Sequence, residues 1–269
     1  MRFGNLSLST ELLNVYSNDG NSLMINMSPK ARKPWKPLQI SNEAAQALVE
    51  FAKTGKLKWP NTVAKNLRGW SAWDWTKGGE EWTPSLEWKE ALVKDVLYPH
   101  IPVGSRVLEI GPGAGRWTEY LIKRSSHLTC VDLTPECIRA CQERFGELKT
   151  VEFVLNDGRD LSFVPPLSID RVWSFDVFVH IQSSDVENYI RQLSTILVKG
   201  GSGVIHHSKF GAQKWGWRSD MTAQKMVQYC DRYGLTIVKQ LESWGDGRFQ
   251  INPNMPKGNV DTITIFEKH

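Results

Sequence analysis

The chain has 269 residues, of which 41% are hydrophobic and 23% are charged, and this ordinary globular composition excludes a wholly disordered protein. Its 33 Lys and Arg residues exceed its 29 Asp and Glu residues by only four, too few to indicate a nucleic-acid-binding protein. No apolar run approaches the roughly 20 residues that span a bilayer, and the N-terminus lacks a secretory-signal pattern. We therefore expect a cytoplasmic protein.

The cysteines and tryptophans are the next features of the composition. Cys130, Cys137, Cys141 and Cys230 form no CxxC pair, so neither a zinc ribbon nor a thioredoxin-type site is indicated. Cys137 and Cys141 are one helical turn apart and could hold a metal, but buried reduced thiols are the favoured interpretation. The 12 tryptophans are unusual, and seven of them lie before residue 100.

The first 60 residues give few structural signals. Residues 1–28 show no regular pattern, and residues 29–37 alternate basic side chains with prolines, which predicts an extended arm. Ser41 is a predicted N-cap of a helix that ends near Gly55.

A Trp-rich segment (residues 70–88) follows and leads into a predicted helix around Leu86–Tyr98. The pattern changes near Pro102, where alternation of strands and helices begins. We therefore predict an N-terminal extension over residues 1–99 and a second domain over residues 100–269; that the extension is a lid is implied only by the family resemblance given below.

In the second domain, short apolar segments alternate with amphipathic ones. The predicted strands are Arg106–Ile110, His127–Asp132, Val151–Leu155, Ile169–Phe175, Gly203–Ser208, Leu235–Leu241 and Thr262–Phe266. The predicted helices are Trp117–Lys123, Pro135–Phe145, Asp185–Val198 and Met221–Tyr233. This alternation predicts an α/β fold in which crossovers connect parallel strands and helices cover both faces.

The first of these strands ends in a glycine-rich loop, EIGPGAGR at residues 109–116. Glycines at this place let the chain turn tightly and let a ligand approach the backbone. A dinucleotide fingerprint requires a glycine three positions after Gly113, but Arg116 stands there.

The ExGxGxG pattern after a strand resembles motif I of the class I S-adenosylmethionine-dependent methyltransferases. The resemblance covers roughly residues 100–269 and implies a Rossmann-like, seven-stranded sheet whose last strand is antiparallel. Its further elements, in chain order, are Asp132, Asn156-Asp157-Gly158, Ser174-Phe175-Asp176 and a turn at Lys199-Gly200-Gly201.

The resemblance also implies which residues bind S-adenosylmethionine. Glu109 would bind the methionine ammonium directly or through water, and Gly111 and Gly113 would approach the methionine and ribose. Asp132 would accept from both ribose hydroxyls. The expected adenine contacts and the further cofactor contact at the end of strand four are Leu133, Asn156, Asp157, Gly158 and Ser174.

Two of these carboxylates have a structural alternative. Asp157 could cap the turn before Leu161 together with Asp160, and Asp132 could cap the helix that begins near Pro135.

Methyl transfer to a hydroxyl needs a base, because a protonated alcohol is a poor nucleophile. Candidates after strands four and five are Asp176, His180, His206 and His207. We favour His207 as the base and His180 as its rival, with Asp176 orienting a histidine or holding the substrate. A divalent metal at Asp176, His180 and His207 is the less favoured alternative, because magnesium prefers oxygen ligands.

The acceptor is predicted from the patterns GRWT, SFDxxxH and HHS, which are similar to those of bacterial methyltransferases of glycan-synthesis loci. They favour a hydroxyl of a sugar, oligosaccharide or similar polyol, whose C–H faces would stack on indoles. A small secondary metabolite with an oxygen or nitrogen acceptor, and a non-catalytic scaffold, are the alternatives, and the oligomeric state stays open. The predicted substrate contacts are Trp82, His206, Trp215, Trp217 and Arg218.

Overall fold

The computed structural model describes residues 61–211, 218–254 and 259–269, together with the backbone of three short strands near the N-terminus. These are β1 (Leu13–Ser17), β2 (Leu23–Met27) and β3 (Leu38–Ile40), which form an antiparallel sheet in the order β1-β2-β3. The chain divides into two compact units, Met1–Pro60 and Asn61–His269. The predicted domain boundary at residues 99 and 100 falls inside the second unit.

Two strands form where the sequence analysis found no pattern. β1 and β2 pair antiparallel, with Leu13 opposite Met27. Each strand has only five residues, and cross-strand pairing stabilises such a strand more than its own periodicity does. The predicted basic arm at residues 29–37, the predicted helix from Ser41 to Gly55, and Trp215 and Trp217 lie outside the described residues.

The second unit begins with a run of short helices. They are α1 (Val63–Ser71), two 3-10 turns (Trp75–Lys77 and Glu80–Trp82), α2 (Leu86–Leu92), a π-helical turn (Val93–Leu97) and α3 (Tyr98–His100). The Thr62 hydroxyl accepts from Lys65 N, so this side chain caps α1, and Ser85 caps α2 in the same way. The predicted helix around Leu86–Tyr98 is confirmed. None of the described helices is long and apolar enough to cross a bilayer.

The strands and helices that follow match the predicted alternation. The strands are β4 (Ser105–Ile110), β5 (Ser125–Asp132), β6 (Val151–Leu155), β7 (Ile169–Ser174), β8 (Leu197–Ser208), β9 (Leu235–Leu241), β10 (Ser243–Trp244), β11 (Phe249–Gln250) and β12 (Asp261–Lys268). The helices are α4 (Thr118–Leu121), α5 (Pro135–Phe145), α6 (Ser183–Ile196) and α7 (Ala223–Arg232). Two predicted ends differ by several residues: α4 is shorter than Trp117–Lys123, and β8 begins before Gly203.

Seven strands form one sheet in the order β6-β5-β4-β7-β8-β12-β9. β12 is antiparallel to both of its neighbours, and the other four neighbouring pairs of this sheet are parallel. The predicted seven-stranded sheet with an antiparallel last strand is confirmed. The chain order reverses between β4 and β7, and ligands of such sheets bind at the carboxyl ends of the strands beside this point.

Hydrophobic cores cover both faces of the sheet. Neighbouring strand residues point to opposite faces, so Val107 and Leu108 are both fully buried but belong to different cores. One core contains residues of α6 and α7, and the other contains residues of α2 and Trp117. The second core therefore attaches the helices that precede β4 to the sheet.

One predicted turn is wrong. Lys199-Gly200-Gly201 was expected between the helix and strand five, but α6 ends at Ile196 and these residues lie within β8. Gly200 has a φ of +75°, and the pairing of β8 with β7 shifts register between Ile169 and Arg171. The glycine pair is therefore a local irregularity that a strand can contain.

Candidate functional site

A cavity of about 780 Å³ opens at the carboxyl ends of β4 to β7, and we call it the strand-end cavity. The glycine loop after β4 forms one wall. The Trp-rich segment with α1 forms another, and residues 251–254 line the far end. Its place beside the reversal of strand order is where α/β sheets bind ligands, and its volume is that of a small-molecule site.

Backbone conformation explains the glycines of the loop. Gly111 has a φ of +73°, and a Cβ atom there would lie 2.4 Å from Val177 Cγ2. Gly113 has a φ of +57°, and its Cβ would lie 3.0 Å from the ring of Trp75. Both positions therefore need glycine for conformation and for packing.

Two buried carboxylates lie beside this loop. Asp132 ends β5 and lines the cavity, where it accepts from Thr134 N at 2.8 Å and from Gly113 N at 3.4 Å. Glu109 accepts from Thr118 Oγ1 at 2.6 Å and does not belong to the lining. Burial raises the pKa of Asp132 to about 6 and that of Glu109 to about 7.

The turn after β6 separates three predicted contacts. Asn156 and Gly158 line the cavity, and Asn156 Oδ1 accepts from Gly158 N at 3.0 Å. Asp157 does not line it: its Oδ1 accepts from Arg159 N and Asp160 N, each at 2.8 Å. This is the turn-capping alternative considered for Asp157.

Tryptophans pack on one another over the glycine loop. Trp73 stacks on Trp82 with ring centroids 5.2 Å apart, and Trp75 and Trp70 contact Trp82 edge-on. The Trp75 indole N–H donates to the Trp70 carbonyl at 2.9 Å. These four rings line the cavity, so the predicted substrate contact Trp82 lies in its wall.

Charged side chains form a continuous chain across the strand ends. We call it the charge chain; its members are Arg116, Asp176, His206, Asp261 and Arg218. His206 Nδ1 lies 3.0 Å from Asp176 Oδ1, and His206 Nε2 lies 3.4 Å from Asp261 Oδ2. Arg218 binds Asp261 through Nη2 and Nε, at 2.5 and 2.9 Å.

Electrostatics set the protonation of the charge chain. Burial opposes ionisation of Asp176, yet Arg116 and His206 hold its pKa well below the usual range. Burial also opposes a charged His206, but the carboxylates of Asp176 and Asp261 outweigh it and raise its pKa. The Asp176 carboxylate therefore stays ionised at neutral pH and is unsuited to accept a proton.

His207 points away from the strand-end cavity. It is fully buried and does not line the cavity, and its ring nitrogens lie 2.7 Å from Thr264 Oγ1 and 2.9 Å from the Ser208 carbonyl. Burial lowers its pKa to about 4. Because side chains alternate along β8, placing His206 near Asp176 turns His207 to the other face.

His180 is the imidazole that lines the cavity among the described residues. It follows β7, and its ring lies 5.1 Å from the Trp70 ring in an edge-on contact. Asn66 of α1 donates to the His180 carbonyl at 2.9 Å, which fixes the loop against the first helix.

Three further predicted residues have clear positions. Ser174 is buried under the loop, where its hydroxyl donates to the Ile110 carbonyl at 2.7 Å. Leu133 and Arg218 line the cavity, whereas His206 lies behind Asp176 and does not. In the described parts of the chain, no three His, Cys, Asp or Glu side chains are grouped to hold a metal, so Asp176, His180 and His207 do not form such a group there.

Sequence reasoning missed several lining residues. Arg116 was considered as the break in a dinucleotide pattern and as part of GRWT, without a contact of its own. Asp261, which does not line the cavity but belongs to the charge chain, was not considered. Val63 and Asn66 lie more than 40 residues before the glycine loop, and no local signal marks them. Tyr189 faces the cavity from a helix whose apolar spacing predicted only core.

Comparison with known proteins agrees with this architecture. Residues 107–201 match a family model described as a methyltransferase domain. The chain is 29% identical over 109 residues to phosphoethanolamine N-methyltransferase 1 of Triticum aestivum, covering 40% of this chain and 22% of that protein. It is 28% identical over 100 residues to a ubiquinone biosynthesis O-methyltransferase of Xanthomonas campestris, covering 37% and 41%. The chain thus spans only about a fifth of the length of the wheat relative.

Solved structures show the same fold. The N-methyltransferase NodS of Bradyrhizobium japonicum, crystallised with S-adenosylhomocysteine, aligns with a TM-score of 0.59 at 18% identity, covering 77% of this chain and 98% of that one. The sheet order, the glycine loop at the strand-order reversal and the matching family model agree with one another. The chain therefore has the fold of the class I S-adenosylmethionine-dependent methyltransferases, and residues 107–201 match a methyltransferase domain.

Proposed function

We propose that this chain transfers a methyl group from S-adenosylmethionine to a hydroxyl of a sugar, oligosaccharide or similar polyol, with His180 as the general base. The observation that carries the proposal is His180 itself, an imidazole on the wall of a cavity that also contains the glycine loop and indole rings. His180, the second candidate from the sequence, thus takes the place of His207 as the proposed general base.

The nucleoside end of the cavity fits the cofactor. Asp132 keeps carboxylate oxygens at the lining, and a ribose diol offers two donors that would stabilise its charged form. Leu133 and Gly158 provide an apolar surface and a close backbone approach for a flat adenine. Glu109, buried beneath the loop, would act on the methionine ammonium through water rather than by direct contact.

Among the imidazoles, the proton-transfer role falls to His180. The cofactor supplies an electrophilic methyl group, so the protein positions the acceptor and removes its proton. Asp176 is held ionised by two cations, and His207 is buried with both ring nitrogens engaged. His180 lies between Trp70 and the cavity, where an acceptor hydroxyl can reach it.

The indole wall supports a carbohydrate acceptor. Trp70, Trp73, Trp75 and Trp82 present rigid amphipathic rings on one side of the cavity. Sugar C–H faces stack on such rings, while Asn66, Asn252 and Asn254 offer polar partners for hydroxyl groups.

An amine acceptor is the second candidate. Relatives and neighbours of this chain include both N- and O-methyltransferases, and the described cavity contains a single imidazole. An amine with a low pKa needs no strong base, so methyl transfer to nitrogen would depend weakly on His180.

The proposal is tested by methyl-transfer assays on a panel of mono- and oligosaccharides and small amines, with S-adenosylhomocysteine release as the readout. We expect sugar-dependent release that His180→Gln reduces by at least about 100-fold in kcat, the lower range for general-base catalysis. Asp231→Asn, on the distant α7, is the control. Turnover of amines only, with His180→Gln unaffected, would replace the first candidate with the second.

A further inference from the structure

Two adjacent donors on the cavity wall have no hydrogen-bond partner among the described residues. They are Arg116 Nη1 and Trp117 Nε1, from side chains that are 5% and 2% exposed. The guanidinium lies 4.9 Å from the Trp117 ring, so the two groups are neighbours. Buried donors in native proteins almost always have an acceptor, because leaving one unpaired is costly. Since both residues line the cavity, the molecule bound there can supply that acceptor.

A cation at one of the two donors favours an anion. Nη1 belongs to the Arg116 guanidinium, and the charge chain pairs Arg116 and Arg218 with the carboxylates of Asp176 and Asp261. Arg116 binds Asp176 through Nη2, so its other terminal nitrogen remains for a ligand. The other carboxylates that line the cavity have other partners. Asp132 accepts from Thr134 N, Asp185 accepts from Arg159, and Glu81 accepts from the Trp73 indole.

The two donors lie on the acceptor side of the cavity. The Trp117 ring is 5.1 Å from that of Phe175, which contacts Trp88 at 6.1 Å. Trp88 in turn donates to the Gln250 carbonyl at 2.7 Å, next to the lining residues 251–254. The proposed ribose and adenine contacts, between Asp132 and Gly158, lie at or just after the ends of β5 and β6, on the other side of β4 from β7.

We propose that the acceptor carries an acidic group, a carboxylate or phosphate, which accepts from Arg116 Nη1 and Trp117 Nε1. This inference rests on the proposed function and narrows it: a sugar acid combines a ring for the indole wall with an anion for these donors. A guanidinium and an indole N–H both donate to oxyanions, and the positive charge of the guanidinium strengthens its hydrogen bond to an anion.

The test is calorimetric titration of the full chain with sodium D-glucuronate, acetate and inorganic phosphate, each with and without saturating S-adenosylhomocysteine. D-glucose is the neutral counterpart of glucuronate. We expect at least one anion to bind about tenfold more tightly than glucose. Trp117→Phe, which removes the N–H together with the pyrrole part of the indole, and Arg116→Gln should each abolish most of that preference. Trp173→Phe is the matched control, because its indole N–H is also buried without a described partner but does not line the cavity.

Three results would overturn the inference. The first is equal binding of glucose and all three anions. The second is an anion preference that survives Trp117→Phe, which decides the matter even where Arg116→Gln fails to fold. The third is a loss of S-adenosylhomocysteine affinity in these variants with 5′-methylthioadenosine affinity unchanged, which would assign the donors to the cofactor's own carboxylate. Absence of S-adenosylhomocysteine binding in the unmodified chain would instead reject the proposed function, and the titrations without it would still decide the anion site.

Discussion

The two ends of the strand-end cavity hold their carboxylates in opposite electrostatic states. We call the part beside Asp132 and the glycine loop the nucleoside end, and the part beside the charge chain the acceptor end, after their proposed roles. At the nucleoside end, Asp132 and Glu109 are buried with no ion-pair partner among the described residues, and burial raises their pKa to about 6 and about 7. At the acceptor end, Asp176 and Asp261 are bracketed by cations that lower their pKa. The carboxylates at the nucleoside end therefore lack a positive charge and hydroxyl donors, which a ligand would bring. At the acceptor end, cationic side chains of the protein already neutralise the carboxylates.

The ends also differ in how far apart in sequence their partners are. Asp132 bonds residues two and 19 positions away, within the consecutive elements β4, α4 and β5 and the turn after β5. The charge chain joins Arg116 to Asp176 across 60 positions and Arg218 to Asp261 across 43. The nucleoside end is thus a product of local turn chemistry, and the acceptor end exists only once the sheet has assembled.

Breaking the charge chain should have the largest effect. Asp261→Asn removes the fully buried carboxylate shared by His206 and Arg218, and loss of one partner of a buried ion pair costs about 3–5 kcal/mol. We expect that decrease in the free energy of unfolding, measured by denaturant titration. The control is Asp170→Asn, which breaks a partly exposed pair with Arg106 and should cost about 1 kcal/mol or less. Equal losses of unfolding free energy in the two variants would mean that the charge chain is not buried as described.

At the nucleoside end, Gly111→Ala tests the glycine loop. The φ of +73° costs about 1–2 kcal/mol for alanine, and overlap with Val177 adds about 1–3 kcal/mol. S-adenosylhomocysteine affinity should fall together with stability, because relief of the overlap moves the loop. Gly200→Ala shares the φ, at +75°, but nothing lies within 4 Å of its Cβ, so it should lose only the conformational part. Equal destabilisation of the two variants would contradict the packing argument.

The adjacent histidines should give opposite pH dependences of stability. The pKa of His206 is raised in the folded state, so its contribution is present below pH 6.5 and is lost as pH rises through the folded pKa. The pKa of His207 is lowered to about 4, so its neutral form is favoured and up to about 3 kcal/mol is lost as pH falls from 6.5 towards 4.

Free energies of unfolding between pH 4.5 and 9 check this for the wild type, His206→Gln and His207→Gln. The difference between wild type and His206→Gln should shrink at alkaline pH, and that between wild type and His207→Gln should shrink at acidic pH. Parallel curves for all three proteins would show that neither histidine has the described surroundings.

The smallest effect is expected for Asp157→Ala. This side chain caps the turn before Leu161, so its removal should cost about 1 kcal/mol of stability. Its distance from the lining predicts an S-adenosylhomocysteine affinity within about threefold of wild type by calorimetry. A tenfold loss of affinity without a loss of stability would restore the adenine contact suggested by the sequence.

The sequence predicts the fold and the nucleoside end because both depend on local patterns. Strand–helix alternation gave the seven strands, and the glycine spacing with Asp132 marked the loop that the structure places at the reversal of strand order. The turn predicted at Gly200 is wrong because a glycine with positive φ is also compatible with an irregular strand.

The acceptor end was predicted less well for a physical reason. His206 and His207 are equivalent in the sequence, and only the register of β8 against β12, with His206 opposite Ile263, decides which ring meets Asp176. Arg116 and Asp261 gain their roles from partners on other strands. Such long-range pairs are set by tertiary assembly and have no signature in a single segment.

The central proposal is that the strand-end cavity binds the S-adenosyl group through Asp132 beside the glycine loop. Calorimetric titration of the full chain with S-adenosylhomocysteine tests it most directly, with Asp132→Asn alongside. We predict saturable binding near one equivalent for the wild type and a loss of at least about tenfold, or about 1.4 kcal/mol, for Asp132→Asn. No binding to the wild type, or equal affinity for both proteins, would contradict the claim.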